Sequence, residues 1–304
     1  MTSKPIMMQL RIWQETCSTN QNHMRRIKCS SPANLQAHEP YDTNVRFLNP
    51  NRTMTSIWIC EGMWRIGIDE AGRGPAIGPL VVGALRVPAA DLPLLHEAGI
   101  TDSKLLSKGK REELYQWILE QSEERGWSYE IRISAPAEID RAMAMTNLND
   151  HEVSLFASLA RKLRTDGGGI LQLDACDADA NRFGNNVASR LPEWPWGDWS
   201  IESMHGADLH CLAVAGASIL AKVTRDKVIE QISKDLEIDV GSGYPSDPKT
   251  IEAVAILVQN ELPHDCLRWG WATVKNAWES VHNAPLPLRP ADPDAPPNAQ
   301  RTLF

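Results

Sequence analysis

The apolar pattern along this chain is uneven. Through residue 62 it is weak: Asn, Thr, Ser and Gln are frequent and no capped helix stands out. Residues 1–62 therefore read as a disordered extension, or as an upstream start-site artefact ahead of Met63. From Met63 the pattern alternates between period-two runs and helical spacing. Strands are expected at 64–69, 78–87, 128–134, 170–173 and 200–204; in the third, Tyr129, Ile131 and Ile133 alternate with polar residues. Helices are expected after Ser107, where Leu114, Trp117 and Ile118 fall at helical spacing, and over 149–163, 179–190, 214–236, 248–260 and 270–281. The 149–163 helix carries Val153, Phe156, Leu159, Ala160 and Leu163 on one face and is stopped by Asp166 and Gly167 to Gly169. Interleaved strands and helices predict an α/β sheet with helices on its faces, then a helical C-terminal part. From Ala284 the prolines at 285, 287, 290, 293, 296 and 297 predict an extended tail.

Composition narrows the class without naming it. A chain of 304 residues, 42% hydrophobic and 23% charged, can bury a full core as one large domain with appendages. No run approaches the roughly 18 apolar residues of a membrane span, and Met1 to Pro5 do not open like a secretory signal. Six scattered cysteines without a Cys-x-x-Cys pair suit a reduced, cytoplasmic protein without structural zinc. The net charge of −8 argues against a protein that coats nucleic acid. An enzyme with a local basic groove stays open, because binding follows the local field. Residues 1–62 hold seven basic against four acidic residues, so their +3 leaves −11 for the remainder.

Chemistry concentrates in Ile66-Gly67-Ile68-Asp69-Glu70-Ala71-Gly72-Arg73-Gly74-Pro75. An apolar run ends in two carboxylates that suit a hard cation, and a guanidinium between two glycines follows, suited to a phosphate or a sugar hydroxyl. Metal and anion chemistry side by side point to phosphodiester chemistry. Two further strands run out into acid: 170–173 into Asp174, and 200–204 into the turn that carries Asp208. Asp69, Asp174 and Asp208 thus lie at or just past strand C-termini, where ligands gather in open α/β sheets. Taken alone, Asp208 suits a helix start equally well, and Asp177 and Asp179 suit a helix cap better than a metal. Glu70 poses a geometric difficulty, since strand neighbours face opposite sides; it joins Asp69 only if the strand loses regularity, as Gly72 and Gly74 allow.

Six blocks carry a closer resemblance. They are Gly67 to Pro75, Asp102-Ser103-Lys104, Leu173-Asp174-Ala175, Gly206-Ala207-Asp208, Ala217 to Asp226, and Gly241 to Thr250. In this order, over about residues 63 to 280, the chain resembles a type 2 ribonuclease H, in the branch of archaeal ribonuclease HII and the eukaryotic ribonuclease H2 catalytic subunit. The resemblance implies a ribonuclease H-like α/β fold, a mixed central sheet flanked by helices with a helical C-terminal extension. It divides the chain into a catalytic domain at 63–225, a helical part at 226–283 and the Pro-rich tail at 284–304. It implies that Asp69, Glu70, Asp174 and Asp208 hold two Mg²⁺ or Mn²⁺ ions. The implied activity cuts the RNA strand of RNA–DNA hybrids, and nicks 5′ of ribonucleotides embedded in duplex DNA, leaving 5′-phosphate and 3′-hydroxyl ends. Gly72, Arg73 and Gly74 would read the ribose 2′-OH, and Tyr244 would pack on the sugar beyond the scissile phosphate. Lys104 and Lys222 are candidate phosphate contacts. Arg225 and Arg268 fit helix-surface charge better than a phosphate contact.

One departure from the family pattern is Ala215-Gly216-Ala217-Ser218, where relatives carry Ser-Ala-Ala-Ser. A glycine in an early helical turn costs roughly 1 kcal/mol of helix preference. At the far end, Gln300, Leu303 and Phe304 resemble a shortened peptide that binds the sliding clamp (PCNA) of archaeal replication, and a Pro-rich tether would raise effective concentration there. Two rival readings are a non-catalytic nucleic-acid adaptor tethered to the clamp, which needs a lost carboxylate, and a DNA-directed nuclease of the same fold.

Overall fold

The computed structural model describes residues 63–103 and 105–290. Residues 1–62, Lys104 and the Gln300, Leu303 and Phe304 peptide lie outside the described residues.

Five strands form one sheet in the order β3-β2-β1-β4-β5. They are β1 (Met63–Ala71), β2 (Leu80–Pro88), β3 (Ser128–Ser134), β4 (Gly168–Asp174) and β5 (Trp199–Met204). The first three form an antiparallel meander, while β4 runs parallel to β1 and β5 parallel to β4. The sheet is therefore mixed and helix-flanked, as expected. Its central strand β1 is covered on both faces: Ile66 and Ile68 are buried on one, and on the other Gly67 lies so close to the backbone of Ala213 that a Cβ would stand 2.1 Å from it.

Helices α1 (Leu92–Glu97), α2 (Lys108–Arg125), α3 (Pro136–Met145) and α4 (Leu148–Leu163) precede β4; α5 (Ala180–Ser189) precedes β5; α6 (Leu212–Leu236), α7 (Pro248–Leu257) and α8 (Ala272–His282) close the series. On one face Ile66, Ile68, Leu171 and Leu173 meet Phe156 and Leu159 of α4 and Phe183 of α5. The Phe156 and Phe183 rings meet edge to face at 5.1 Å. Burying each such ring contributes about 1.5–3 kcal/mol. On the other face α6 lies along β1 and β2 with α1 and α2 beside it, burying Leu85, Leu95, Ile118, Ala217 and Leu220.

Helix starts follow capping chemistry. Ser107, Asn147, Asp179 and Asp247 accept from the N–H groups of Lys110, Asp150, Arg182 and Lys249, each worth about 1 kcal/mol. Asp177 pairs with Arg182 rather than sharing the cap. The pattern missed α1, which is a turn and a half long, and α3, which buries only Pro136 and Ile139. The last helix starts at Ala272 rather than 270, because Trp271 is its cap residue with extended backbone (ψ 138°).

The C-terminal part is stitched to the loop after β1. Ile77 bridges Leu267 in antiparallel fashion. Arg268 N donates to Ala76 O at 2.9 Å and Gly78 N to Cys266 O at 2.8 Å. Ala76 N and Ile77 N both donate to Gly243 O, at 2.8 and 3.2 Å, tying the same loop to the turn that carries Tyr244.

Candidate active site

Parallel pairing brings the first two acids together. Ile68 of β1 stands opposite Leu173 of β4, so Asp69 and Asp174 follow side by side at the strand ends. Asp174 in turn stands opposite Met204, the last residue of β5. Beyond it the chain turns through a short 3-10 helix (Ala207–Leu209) that carries Asp208, and Ala207 N donates to Asp174 Oδ1 at 3.0 Å. Oxygens of Asp69, Asp174 and Asp208 all lie within 4.8 Å of one another. Burial, with the charges of Glu70 and Asp174, pushes the Asp69 carboxyl well above the ordinary carboxylate range. Its hydroxyl partner Ser218 opposes this, and Ser218 is itself held by Ser103 at 3.0 Å. Crowded, buried, mutually repelling carboxylates are the donor set of a hard divalent cation, which takes oxygen ligands at about 2.0–2.6 Å. The three aspartates fit such an ion.

Glu70, expected to join Asp69 through a break in the strand, does not cluster with the three aspartates. The strand does not break: pairing to β2 continues through Asp69↔Gly83, Glu70↔Val82 and Ala71↔Val81. Asp69 therefore faces α6 and Glu70 faces α4, as pleating requires. There Glu70 groups with Glu152 and Cys176, their ligand atoms within 4.8 Å of one another, and Cys176 Sγ lies 3.5 Å from Glu70 Oε2. Burial, then the charges of Glu152 and Asp174, pushes the Glu70 carboxyl up to about 7. Burial raises Glu152 to about 7 despite Arg73, and burial with both glutamates pushes the Cys176 thiol up. Glu70 thus sits at the strand end within the electrostatic reach of Asp174, on the sheet face opposite Asp69.

The Gly72–Gly74 loop follows directly. Gly72 has φ +92°, and a Cβ there would stand 2.4 Å from Arg225 Nε and 2.8 Å from Pro79 O, so only glycine fits. The Arg73 fork is not turned outward. Its Nε donates to both Glu152 oxygens, at 2.9 and 3.1 Å, and its Nη2 to Asn149. Arg268, expected on a helix surface, is fully buried in the segment before α8. It donates to Gly72 O at 2.6 Å, Arg73 O at 2.9 Å and Gly78 O at 2.9 Å. Arg225, given the same surface role, is also buried. It donates to Ser242 O at 2.8 Å and stacks under the Tyr244 ring with its Cζ 5.0 Å from the centroid. Both corrections have one cause: the guanidinium is spent on backbone carbonyls and aromatic faces beneath the loops of Gly72–Gly78 and Ser242–Tyr244, and sequence spacing carries no sign of that.

Tyr244 is half-buried beside the loop, its ring 3.6 Å from where a Gly74 Cβ would stand. Lys222 lies half-buried on α6. Sequence reasoning missed Asn149, Glu152, Cys176 and Trp271. Only Glu152 left a signal: a glutamate one turn ahead of Phe156 on the apolar stripe of α4.

Carboxylates converging at strand ends, with the glycine-flanked Gly72–Gly74 loop beside them, fit a metal-dependent phosphodiesterase on a mixed α/β sheet. Residues 66–274 match the ribonuclease HII family, and the chain belongs to it. A ribonuclease HII of Methanocella arvoryzae is 43% identical over 212 residues, 68% of this chain and 88% of that protein. The crystal structure of ribonuclease H2 from Pyrococcus horikoshii superposes with a TM-score of 0.64 at 31% identity, over 73% of this chain and all of that one. A ribonuclease HII from Archaeoglobus fulgidus, solved in complex with PCNA, superposes at 0.58 with 34% identity, over 70% of this chain and 96% of that one. The chain is a metal-dependent endoribonuclease of the kind that cleaves RNA–DNA hybrids.

Proposed function

We propose that the protein cleaves the RNA strand of hybrids, and the backbone 5′ of single ribonucleotides embedded in duplex DNA, using two Mg²⁺ or Mn²⁺ ions held by Asp69, Glu70, Asp174 and Asp208. The observation that carries this reading is contiguity. The metal-fitting aspartates, the Gly72–Gly74 loop and Tyr244 are joined by backbone bonds, Asp69 being three residues ahead of Gly72 and Gly243 O accepting from Ala76 and Ile77. When bound, divalent ions supply Lewis-acid charge at the phosphate and a more acidic water.

The chain's own residues do the rest. Asp69, which accepts from Glu70 N–H at 2.7 Å, and Asp174, which accepts from Ala207 N–H at 3.0 Å, offer oxygens whose orientation is set before any ion arrives. Glu70 approaches from the opposite face of β1, giving the fourth carboxylate a different angle of attack on the same strand end. The Gly72–Gly74 backbone reads the 2′-OH, the group that separates RNA from DNA. Tyr244, backed by Arg225, gives a flat apolar face to the neighbouring sugar. Lys222 and Lys104 are phosphate contacts in this reading, and cleavage leaves 5′-phosphate and 3′-hydroxyl ends. A C-terminal tether to the sliding clamp through Gln300, Leu303 and Phe304 belongs to the same proposal, supported by the PCNA complex of the Archaeoglobus relative.

The test is a DNA duplex with one embedded ribonucleotide, incubated with and without Mg²⁺, with wild type and Asp174→Asn. Metal-dependent nicking 5′ of the ribonucleotide, lost in the variant, is expected. Cutting without metal, undiminished cutting by the variant, or equal cutting of the all-DNA duplex would defeat the reading.

A further inference from the structure

The three carbonyls of the Gly72–Gly74 loop are all held from one side, by two residues about 195 positions later in the chain. Arg268 takes Gly72 O and Arg73 O with two arms of its fork, and the Trp271 indole N–H reaches Gly74 O at 3.2 Å. Arg268 also lies over the Trp271 ring, Cζ to centroid 5.0 Å, so the two donors brace one another.

A trans peptide is planar, with its C=O and N–H pointing in opposite directions. Holding Gly72 O fixes the N–H of Arg73, and holding Arg73 O fixes the N–H of Gly74. Both donors then point away from Arg268, on the side of the loop opposite the C-terminal segment. The third plane, held by Trp271, carries no N–H because Pro75 follows; it shares the Gly74 Cα with the Arg73–Gly74 plane, so fixing it limits how far that plane, and the Gly74 N–H in it, can rotate. A glycine-flanked loop is the backbone most able to rotate such planes, and a rotated plane would present an acceptor where a donor is needed.

We propose that Arg268 and Trp271 are positioning residues for ribose recognition: they hold the Gly72, Arg73 and Gly74 carbonyls so that the Arg73 and Gly74 N–H groups meet the 2′-oxygen of the sugar. This rests on the reading that the Gly-Arg-Gly loop senses the 2′-OH. Burial, with the charge of Arg225 next, pulls the Arg268 guanidinium down to about 9, so the fold keeps a costly cation here. Its bonds go to backbone carbonyls, a geometry that an apolar side chain of equal volume could not supply.

Trp271→Phe removes one N–H and keeps the ring under Arg268; Arg268→Lys keeps the charge and loses the fork. Each is compared with wild type on two duplexes that differ only in one sugar, ribose or deoxyribose. The readouts are kcat/KM on the ribose duplex, affinity for the deoxyribose duplex by fluorescence anisotropy, Mn²⁺ affinity by electron paramagnetic resonance, and thermal midpoint. Trp271→Phe is expected to lower ribose-duplex kcat/KM roughly three- to tenfold, and Arg268→Lys on the order of ten- to a hundredfold. Deoxyribose-duplex and Mn²⁺ affinities stay unchanged. Variants that keep the wild-type ribose-duplex kcat/KM, or whose affinity for the deoxyribose duplex falls by the same factor as that kcat/KM, overturn the proposal. Should Arg268→Lys not fold, Trp271→Phe decides alone. A wild type without ribose preference defeats the functional reading and this inference together; a wild type with it, beside unaltered variants, defeats this inference only.

Discussion

Arg73 and Glu152 meet through a two-point contact, Nε to both carboxylate oxygens at 2.9 and 3.1 Å, and the glutamate side chain is fully buried. The residue that looked like a phosphate fork is therefore docked inward, joining the Gly72–Gly74 loop to α4. Removing one partner of a fully buried pair costs about 3–5 kcal/mol. Here Arg73 keeps 38% of its side-chain surface exposed and can turn to water, so Glu152→Ala is expected to cost about 1–3 kcal/mol. Glu152→Ala and Arg73→Ala break the same contact, so the double variant should cost clearly less than the two singles together. Urea unfolding of the four proteins checks this; simple additivity would show that the contact carries no energy of its own.

Asp174→Asn should separate stability from activity. Asp174 is among the charges that raise the proton affinity of both Asp69 and Glu70, so neutralising it relieves repulsion in the metal-free protein. The metal-free thermal midpoint should rise by roughly 2–4 °C, corresponding to about 1 kcal/mol in a domain of this size. Metal-dependent cleavage should fall at least on the order of a hundredfold. A midpoint that drops in EDTA would mean that the carboxylate is structural.

The pH dependence follows from the same crowding. Glu70 and Glu152, raised from 4.5 to about 7, hold protons in the folded state that the unfolded chain has already released. Across that window the folded state binds more protons, so metal-free stability falls as pH rises from about 4.5 to beyond 7. His151 and His264, lowered from 6.5 by burial, act in the opposite sense below that value. The diagnostic range is therefore pH 6.5 to 8, where the metal-free urea midpoint should decline and saturating Mg²⁺ should reverse the trend. Glu70→Gln should flatten the metal-free decline. A metal-free midpoint that rises over this range in wild type would count against the raised carboxyls.

Much of the sheet was legible because apolar runs that end in acid mark strand C-termini, and Asp69, Asp174 and Asp208 converge for that reason. Glu70 was legible as a residue but not as a position, since the regular pairing of β1 through Ala71 sets it on the other face. Arg268 and Trp271 left no pattern. They sit in an irregular segment whose partners are main-chain carbonyls almost 200 residues away, and a carbonyl has no sequence identity. Glu152 was hidden in plain periodicity, one polar position on an apolar stripe.

Gly216 stands in the first turns of α6, in the Ala215-Gly216-Ala217-Ser218 segment. Read along the helix, glycine in the first turns of α6 costs roughly 1 kcal/mol, so Gly216→Ala should stabilise. Read across to the sheet, the sign reverses: a Cβ at 216 would stand 2.5 Å from Leu85 Cδ2 and 3.7 Å from Ile118 Cδ1 and Leu95 Cδ2. Leu85 is fully buried among neighbours that have little room to move. Overpacking of this kind costs about 1–3 kcal/mol, more than the helix gains. Gly216→Ala is therefore expected to be net destabilising by about 1 kcal/mol in urea unfolding. Leu85→Val, which withdraws the offending methyl group, should recover part of that loss when the two are combined, although Leu85→Val alone destabilises. A stabilised Gly216→Ala protein would show that Leu85 finds another rotamer and that helix preference, not the close fit of α6 on β2, governs this turn.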